Sequence, residues 1–313
     1  RNTILFFCYY SESSLGYLVA LKKKASHPIF FHHKKKNSPC SSQNQKKKKK
    51  ENTFGYSINK EKNYQQNSLI MHSMNHEKKP NILVINGSPH QKGNTAILMK
   101  WITAGCKKND ASVKWIHLSN MNISYCQGCH TCLKTGNCKI NDDVSLIYDK
   151  IQKSDGVIIG SPVYEGHTSA QLKTLLDRFA LFSLYMGCFD SLWSMGVATS
   201  GIAPAKATAK ECIDLFGKKT GVCTKKTATF SGGYQRITED SYHQLKQKAE
   251  KQGKAFVQKI KKNPTFHLGA LKHAWIVFLR KHFLKKLIMN NSEEFAGVLT
   301  NWKEKGWIKE KNG

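Results

Sequence analysis

The chain has 313 residues with 50 Lys+Arg against 21 Asp+Glu, a formal charge of +29, and a length that allows one large domain or two small ones. Ten cysteines, four of them bunched, exclude a disulfide-stapled secreted scaffold and point to a reducing cytoplasm with a metal or redox site. The charge is uneven: residues 1–80 hold 16 Lys+Arg against 4 Asp+Glu, and the remainder 34 against 17.

Residues 1–79 carry lysine runs at 22–24, 34–36 and 46–50 among Asn/Gln/Ser-rich filler, and they are expected to be disordered. The chain opens on Arg1, while Met71 and Met74 stand just ahead of the first good strand. An upstream region translated from a misplaced start is therefore expected ahead of a basic arm for nucleic acid or a membrane surface. No secretory signal is expected, because the positive charges follow the apolar run at 4–10 and do not clearly precede it. The lysines of the remainder are scattered, with no recognition helix or aromatic platform, so specific nucleic-acid binding is not expected.

From residue 80 to 262 strand and helix signals alternate, which predicts a parallel sheet covered on both faces. The apolar run 82–85 suits a buried parallel strand. It leads into the loop Gly87-Ser-Pro-His-Gln-Lys-Gly-Asn-Thr95 and then a helix with Ile97, Leu98, Trp101 and Ile102 on one side. Unpaired amides and the positive dipole end of that helix, with Ser88, Thr95 and the Asn94 amide, form a cradle for a phosphate. The Walker spacing and its lysine are absent, since Gly87 and Gly93 are one residue too far apart and Asn94 stands in the lysine's place. The GxGxxG fingerprint is absent too. A terminal monophosphate such as that of FMN fits best.

A second strand is expected at 113–118, followed by a cysteine-rich loop and a helix begun by Asp142-Asp143, with Val144, Ile147 and Ile151 inward and the acids at its positive end. The third strand is expected at 156–160, and its helix carries Leu172, Leu175, Leu176 and Phe179. Strand four is expected at 193–199, with Pro204 in a first turn and Gly217 at a helix end. Strand five is placed at 222–230, before a last helix with Tyr242, Leu245, Ala249, Phe256 and Ile260 on one stripe. Five strands so arranged match a flavodoxin-like α/β, doubly wound five-stranded parallel sheet of order 2-1-3-4-5. Its ligand crevice lies between the carboxyl ends of strands one and three. There the loop Ser161-Pro-Val-Tyr-Glu-Gly166 offers Pro162, Val163 and Tyr164 as a face for a flavin ring, and a bent backbone at Gly166 for its ring nitrogens.

Residues 126–138, CQGCHTCLKTGNC, have the spacing C-x2-C-x2-C-x5-C. One loop can wrap Cys126, Cys129 and Cys132 round a single centre, with Cys138 closing it, and four thiolates suit an iron–sulfur cluster or zinc. The run resembles ferredoxin spacing more than paired zinc knuckles; metal-free cysteines or a disulfide are the remaining readings. Cys106, Cys188, Cys212 and Cys223 read as small core residues.

The phosphate loop, the cysteine run followed by Asp142-Asp143, and SPVYEG with Leu172-Lys173 and Asp177-Arg178 together resemble the NAD(P)H-dependent FMN reductase-like flavoproteins. The cysteine spacing is similar to that of the iron–sulfur flavoproteins. The resemblance covers residues 81–260. It implies FMN phosphate contacts from Ser88, Asn94 and Thr95, with His90 and Gly93 in the same loop, and ring contacts from Pro162, Val163, Tyr164 and Gly166. It also implies a four-iron four-sulfur cluster on Cys126, Cys129, Cys132 and Cys138. His90 stands where many relatives have arginine, which weakens the expected phosphate clamp and makes FMN affinity pH-dependent. The implied activity is NAD(P)H-dependent reduction of a small molecule or a protein partner through FMN. The alternative is an electron carrier fed by ferredoxin with little NAD(P)H turnover.

Residues 263–313 go beyond a minimal fold of this kind. Leu268, Leu271, Trp275, Phe278, Leu279, Phe283 and Leu287 make a helical stripe beside Lys272, Arg280, Lys281, Lys285 and Lys286. The apolar run 274–279 is too short to span a bilayer. Packing on its own domain or on a second subunit, as in a homo-oligomer, is expected ahead of an anionic membrane surface.

Overall fold

A computed structural model describes residues 79–202, 204–226, 236–240, 242–264 and 270–308. The readings made for the lysine-rich N-terminal segment, for Leu268 and for the Cys223 side chain fall outside those residues.

Five strands form one sheet in the order β2-β1-β3-β4-β5, every neighbouring pair parallel. They are β1 (Asn81–Asn86), β2 (Ser112–His117), β3 (Gly156–Pro162), β4 (Trp193–Ser200) and β5 (Lys218–Lys226). This is the flavodoxin-like order expected from the sequence. The period-2 alternation of a strand sends successive β1 side chains to opposite faces. Ile82 and Val84 join one buried cluster, with α1 (Asn94–Lys107) and, later in the chain, α6 (His243–Lys262). Leu83 and Ile85 join the other, with α3 (Val144–Gln152) and α4 (Ala170–Leu181). Both faces are covered, so β1 reads as an unbroken apolar run.

Most of the expected inward residues are buried: Leu98, Trp101 and Ile102 on α1, with Ile97 only half-buried, Val144, Ile147 and Ile151 on α3, and Leu172, Leu175, Leu176 and Phe179 on α4. Each such aliphatic or aromatic side chain contributes roughly 1.5–3 kcal/mol through removal from water. Two short helices complete this part, α2 (Thr131–Thr135) inside the cysteine loop and α5 (Ala205–Glu211) after β4.

Two expectations are corrected at the β5 edge. The strand runs from Lys218 to Lys226, four residues earlier than expected, and 227–230 lie outside the described residues. The apolar pattern misses its start because an edge strand tolerates lysines and a bulge. Ser194 pairs with Lys219 and Met195 with Gly221, which leaves Thr220 as the extra residue. Gly217 does not end a helix, since α5 stops at Glu211. A side chain at Gly217 would place its Cβ 2.1 Å from the Asp190 carbonyl oxygen, so close backbone approach accounts for this glycine.

The extension forms α7 (Ala270–Leu279), a π turn (Arg280–Leu284), α8 (Lys285–Asn290) and α9 (Ala296–Glu304). Its apolar stripe does not pack on its own domain: Leu271, Trp275, Phe278, Phe283 and Leu287 are 46–82% exposed. The face that docks holds Arg280, Leu284 and Ile288. Arg280 donates to Asp190 Oδ2 at 2.5 Å and to the carbonyls of Leu184 and Ser183 at 2.9 and 3.0 Å. A buried ion pair, and not the apolar stripe, therefore selects the face that docks on its own domain. Among the described residues no helix is long and apolar enough to cross a membrane.

Candidate functional site

The carboxyl ends of β1, β3 and β4 meet at the reversal of strand order. The Gly87 amide donates to the Gly160 carbonyl at 2.7 Å, and Ser169 Oγ donates to the Gly87 carbonyl at 2.5 Å. Ser161 Oγ accepts from the Ser169 amide at 2.8 Å, and the Val163 amide donates to the Thr199 carbonyl at 2.9 Å. These bonds fix two loops side by side.

The first loop, 87–93, feeds α1. Gly93 is the N-cap residue, and no side chain caps the helix. The first intrahelical bond runs from the Ile97 amide to the Gly93 carbonyl at 3.0 Å; helix geometry gives the amides before Ile97 no intrahelical acceptor. No acid lies in the first turn, so the positive dipole end is left for an external anion. Ser88 is buried, and its Oγ accepts from the His90 amide at 3.1 Å, which leaves its hydrogen to donate. Thr95 Oγ1 lies 2.7 Å from Thr199 Oγ1, both buried. The Asn94 side-chain oxygen accepts from the Ile237 amide at 2.9 Å, tying the 236–240 segment to the helix start. His90 is exposed on the loop.

The second loop turns back on itself between Tyr164 and His167, which form an antiparallel bridge. Glu165 and Gly166 both have positive φ, 48° and 81°, so this is a type I′ turn in which glycine suits the second position. The Gly166 carbonyl accepts from Thr208 Oγ1 at 2.8 Å, and the Thr168 amide donates to Glu211 Oε2 at 3.1 Å, so α5 clamps the turn. Val163 packs against Ala198, Ala205 and Ala209, whereas Tyr164 is 47% exposed. Thr168 Oγ1 is buried without a hydrogen-bond partner among the described residues.

The cysteine loop follows β2, on the flank of β1. Positive φ at Gly128, His130 and Gly136 (62°, 57° and 81°) coils the chain around α2. Cys126 and Cys129 are exposed; Cys132 and Cys138 are half-buried. Burial, and then the neighbouring Cys138, Cys126 and Cys129, push the Cys132 thiol up to about 11. Cys132 thus lies within electrostatic reach of the other three. Among the described residues no three His, Cys, Asp or Glu side chains are drawn tightly enough to chelate one metal ion. A cluster of four irons holds its thiolates at four corners, farther apart than a single ion does, and the donor set is the one such clusters take.

The base of this loop is closed by Asp142 and Asp143. Asp142 Oδ2 accepts from the Ser124 amide at 2.9 Å, and Asp143 Oδ2 from the Asn122 amide at 2.7 Å. Asp142 also takes both terminal nitrogens of Arg178, at 2.7 and 3.0 Å. The two acids therefore act mainly as loop ties, with Asp142 Oδ1 capping the Val144 amide at 3.2 Å. Thr199, Ser169 and Arg178 were not assigned roles from the sequence. Only Arg178 carried a signal, its place beside Asp177 in the shared motif.

A protein of Clostridioides difficile named as an iron–sulfur flavoprotein is 30% identical over 239 residues, covering 72% of this chain and 99% of that protein. The chain belongs to the iron–sulfur flavoprotein family. Residues 80–234 match the NADPH-dependent FMN reductase family, the span that holds all three loops. An iron–sulfur flavoprotein of Methanocaldococcus jannaschii is 40% identical over 97 residues, 31% of this chain, and the chain spans only 50% of that relative's length. A solved flavone reductase has a TM-score of 0.46 at 15% identity, covering 60% of this chain and 66% of that one.

Proposed function

We propose that this iron–sulfur flavoprotein is a cytoplasmic FMN-dependent oxidoreductase that draws on NAD(P)H to reduce a small-molecule or protein acceptor, with a four-iron four-sulfur cluster beside the flavin. Bound FMN supplies the exchange between two-electron and one-electron chemistry, and the cluster the one-electron path. Ser88, His90, Gly93, Asn94 and Thr95 hold the phosphate end. Pro162, Val163, Tyr164 and Gly166 orient the ring, and Cys126, Cys129, Cys132 and Cys138 ligate the cluster. The domain that does this work is 80–262, with 263–313 as its extension.

One observation carries the reading. A 14-residue helix begins with no capping side chain and no acid, and buried hydroxyls surround its start, opposite a rigid turn that presents an aromatic ring. Gly93→Asp tests it, because an aspartate at the cap satisfies the helix start and repels a phosphate. FMN affinity should fall at least about tenfold (~1.4 kcal/mol), while the melting temperature of the flavin-free chain holds. Unchanged FMN affinity would overturn the assignment.

The exposure of Cys126 and Cys129 favours a second reading, an electron carrier fed by ferredoxin, since a cluster there is accessible to a protein donor. Anaerobic mixing with NADH or NADPH should bleach the flavin absorption within seconds if the enzyme reading holds. Slow bleaching by both, with fast reduction by ferredoxin, would select the carrier.

A further inference from the structure

The extension leaves an apolar face uncovered. Through α7, the π turn and α8 the chain is helical without a break from Ala270 to Asn290, a rod about 30 Å long. Arg280, Leu284 and Ile288 dock on one side. Away from them Leu271, Trp275, Phe278, Phe283, Leu287 and Met289 are all exposed. The rings of Trp275, Phe278 and His282 stack in turn, with centroids 5.6 and 4.4 Å apart, and form a continuous aromatic ridge in solvent. Contiguous apolar surface of this kind marks a contact with something outside the domain.

Charge decides what that is. Lys281, Lys285 and Lys286 are exposed among these apolar residues, and no Asp or Glu occurs anywhere in 264–291. The chain behind them is basic as well, with 34 Lys+Arg against 17 Asp+Glu after residue 80. A second copy docking about a two-fold axis would lay the same face against itself. Lysines would then meet lysines, with no acid in the segment to pair them. An anionic lipid surface satisfies both features at once: acyl chains take the apolar side chains and headgroup phosphates take the ammonium groups. Tryptophan suits the boundary between the two, because its ring is apolar and its N–H polar.

We propose that α7 and α8 form a peripheral docking surface for a bilayer rich in anionic lipid, with Trp275 and Phe278 sunk into the headgroup boundary. The helix lies on the bilayer and does not span it, since no described helix is long and apolar enough to cross. This docking goes beyond the redox reading and depends on neither cofactor.

The test uses the full chain and vesicles of phosphatidylcholine, either alone or in equal parts with phosphatidylglycerol, carrying brominated acyl chains as a quencher. Of the six tryptophans only Trp275 is exposed, and residues 1–80 contain none, so quenching reports on this helix and not on the N-terminal lysines. Wild type should float with the anionic vesicles and lose Trp275 emission, and neutral vesicles should bind it at least about tenfold less. Trp275→Phe, which keeps the apolar surface, should float with its remaining emission unquenched. Each basic residue near an anionic surface is worth about fivefold in partitioning, so Lys281→Gln/Lys285→Gln/Lys286→Gln should bind at least about tenfold more weakly. Trp275→Ser/Phe278→Ser should lose about as much. All five side chains are exposed, so the melting temperature should hold in both variants. Flotation with Trp275 unquenched would assign the binding to the lysine runs at 22–50 and overturn the proposal. Equal partitioning of wild type and both variants, or a wild type that floats with neither vesicle, would also overturn it. So would a dimer in solution that shields Trp275 from the vesicles and that Trp275→Ser/Phe278→Ser dissociates, since a second copy would then be the occupant.

Discussion

The packing of α9 on the cysteine loop makes a sharp prediction at Gly297. A Cβ built there would lie 2.0 Å from the Gly136 amide nitrogen, 2.6 Å from the Thr135 carbonyl carbon and 2.8 Å from Gly136 Cα, all backbone atoms. Real Cβ contacts essentially never come under 3.0 Å, so one methyl group forces the helix or the loop back by at least 1.0 Å. Overpacking of this kind costs about 1–3 kcal/mol. In a unit of this size each kcal/mol lowers Tm by about 2–4 °C. Gly297→Ala should therefore melt several degrees below wild type in the iron-free chain. After anaerobic reconstitution it should also hold less iron per chain, because Gly136 closes the helix between Cys132 and Cys138. Gly306→Ala is the control: its φ of 65° strains a side chain, but nothing lies within 4 Å of the new Cβ. It should lower Tm without changing iron content. A Gly297→Ala chain with wild-type Tm and wild-type iron would refute the buttress.

Thr199→Val strands the buried Thr95 hydroxyl and should cost about 1–3 kcal/mol in urea unfolding, together with weaker FMN binding by fluorescence titration. Trp302→Ala removes a buried indole whose Nε1 donates to the Tyr185 carbonyl at 2.8 Å, and should cost about 3–5 kcal/mol by the same assay. Burial holds the Cys106 thiol up at about 12, whereas hydrogen bonds from Thr131 lower Cys129. In the native iron-free chain at pH 8 a thiol reagent mapped by mass spectrometry should label Cys129 first and Cys106 only after unfolding. Burial raises the Asp142 carboxyl, but hydrogen bonds from Arg178 and from the Ser124 and Val144 amides outweigh it and leave it below 3.8. A depressed carboxyl contributes stability above pH 3.8 that is lost as the pH falls towards its folded value. Asp142→Asn should therefore be less stable at neutral pH and show a shallower loss in acid.

The strand, loop and helix at 81–107 were legible because each of their signals is local. An apolar run of parallel-strand length, glycines at the turn and hydroxyls at a helix start all lie within fifteen residues. The strand order followed, since alternating elements leave few topologies. What joins the loops was not legible: Thr95 meets Thr199 across 104 positions, and Ser169 reaches Gly87 across 82. Hydroxyls that pair at such distances leave no pattern in a single sequence. Which face of the extension docks on its own domain was not legible for a different reason. Periodicity reports that one face of a helix is apolar, but the docking side here is chosen by the Arg280–Asp190 pair and by the π turn that shifts the register behind it. At β5 a bulge and edge lysines hid the strand's first four residues.

Two restraints of different origin converge on the cysteine loop. From the sheet side, Arg178 and Asp142 close its base through four charge-assisted or amide bonds, with both side chains nearly sealed from water. From the other side α9 lays its backbone against α2, with Trp302 and Phe295 buried in the same cluster as Leu133. Between them Cys126 and Cys129 stay exposed. A loop left to order itself on metal uptake would need neither restraint, because ligation itself supplies folding energy. Holding it from both sides limits the backbone freedom of the loop and fixes where its cysteines stand relative to β1. If the proposed cluster is seated there, the extension buttresses its loop without supplying a ligand. Cutting the chain before α9 should lower iron retention while the 87–93 loop, which α9 does not touch in any of these contacts, keeps its flavin. Equal losses of iron and flavin in the truncated chain would mean that α9 supports the whole fold and not the loop.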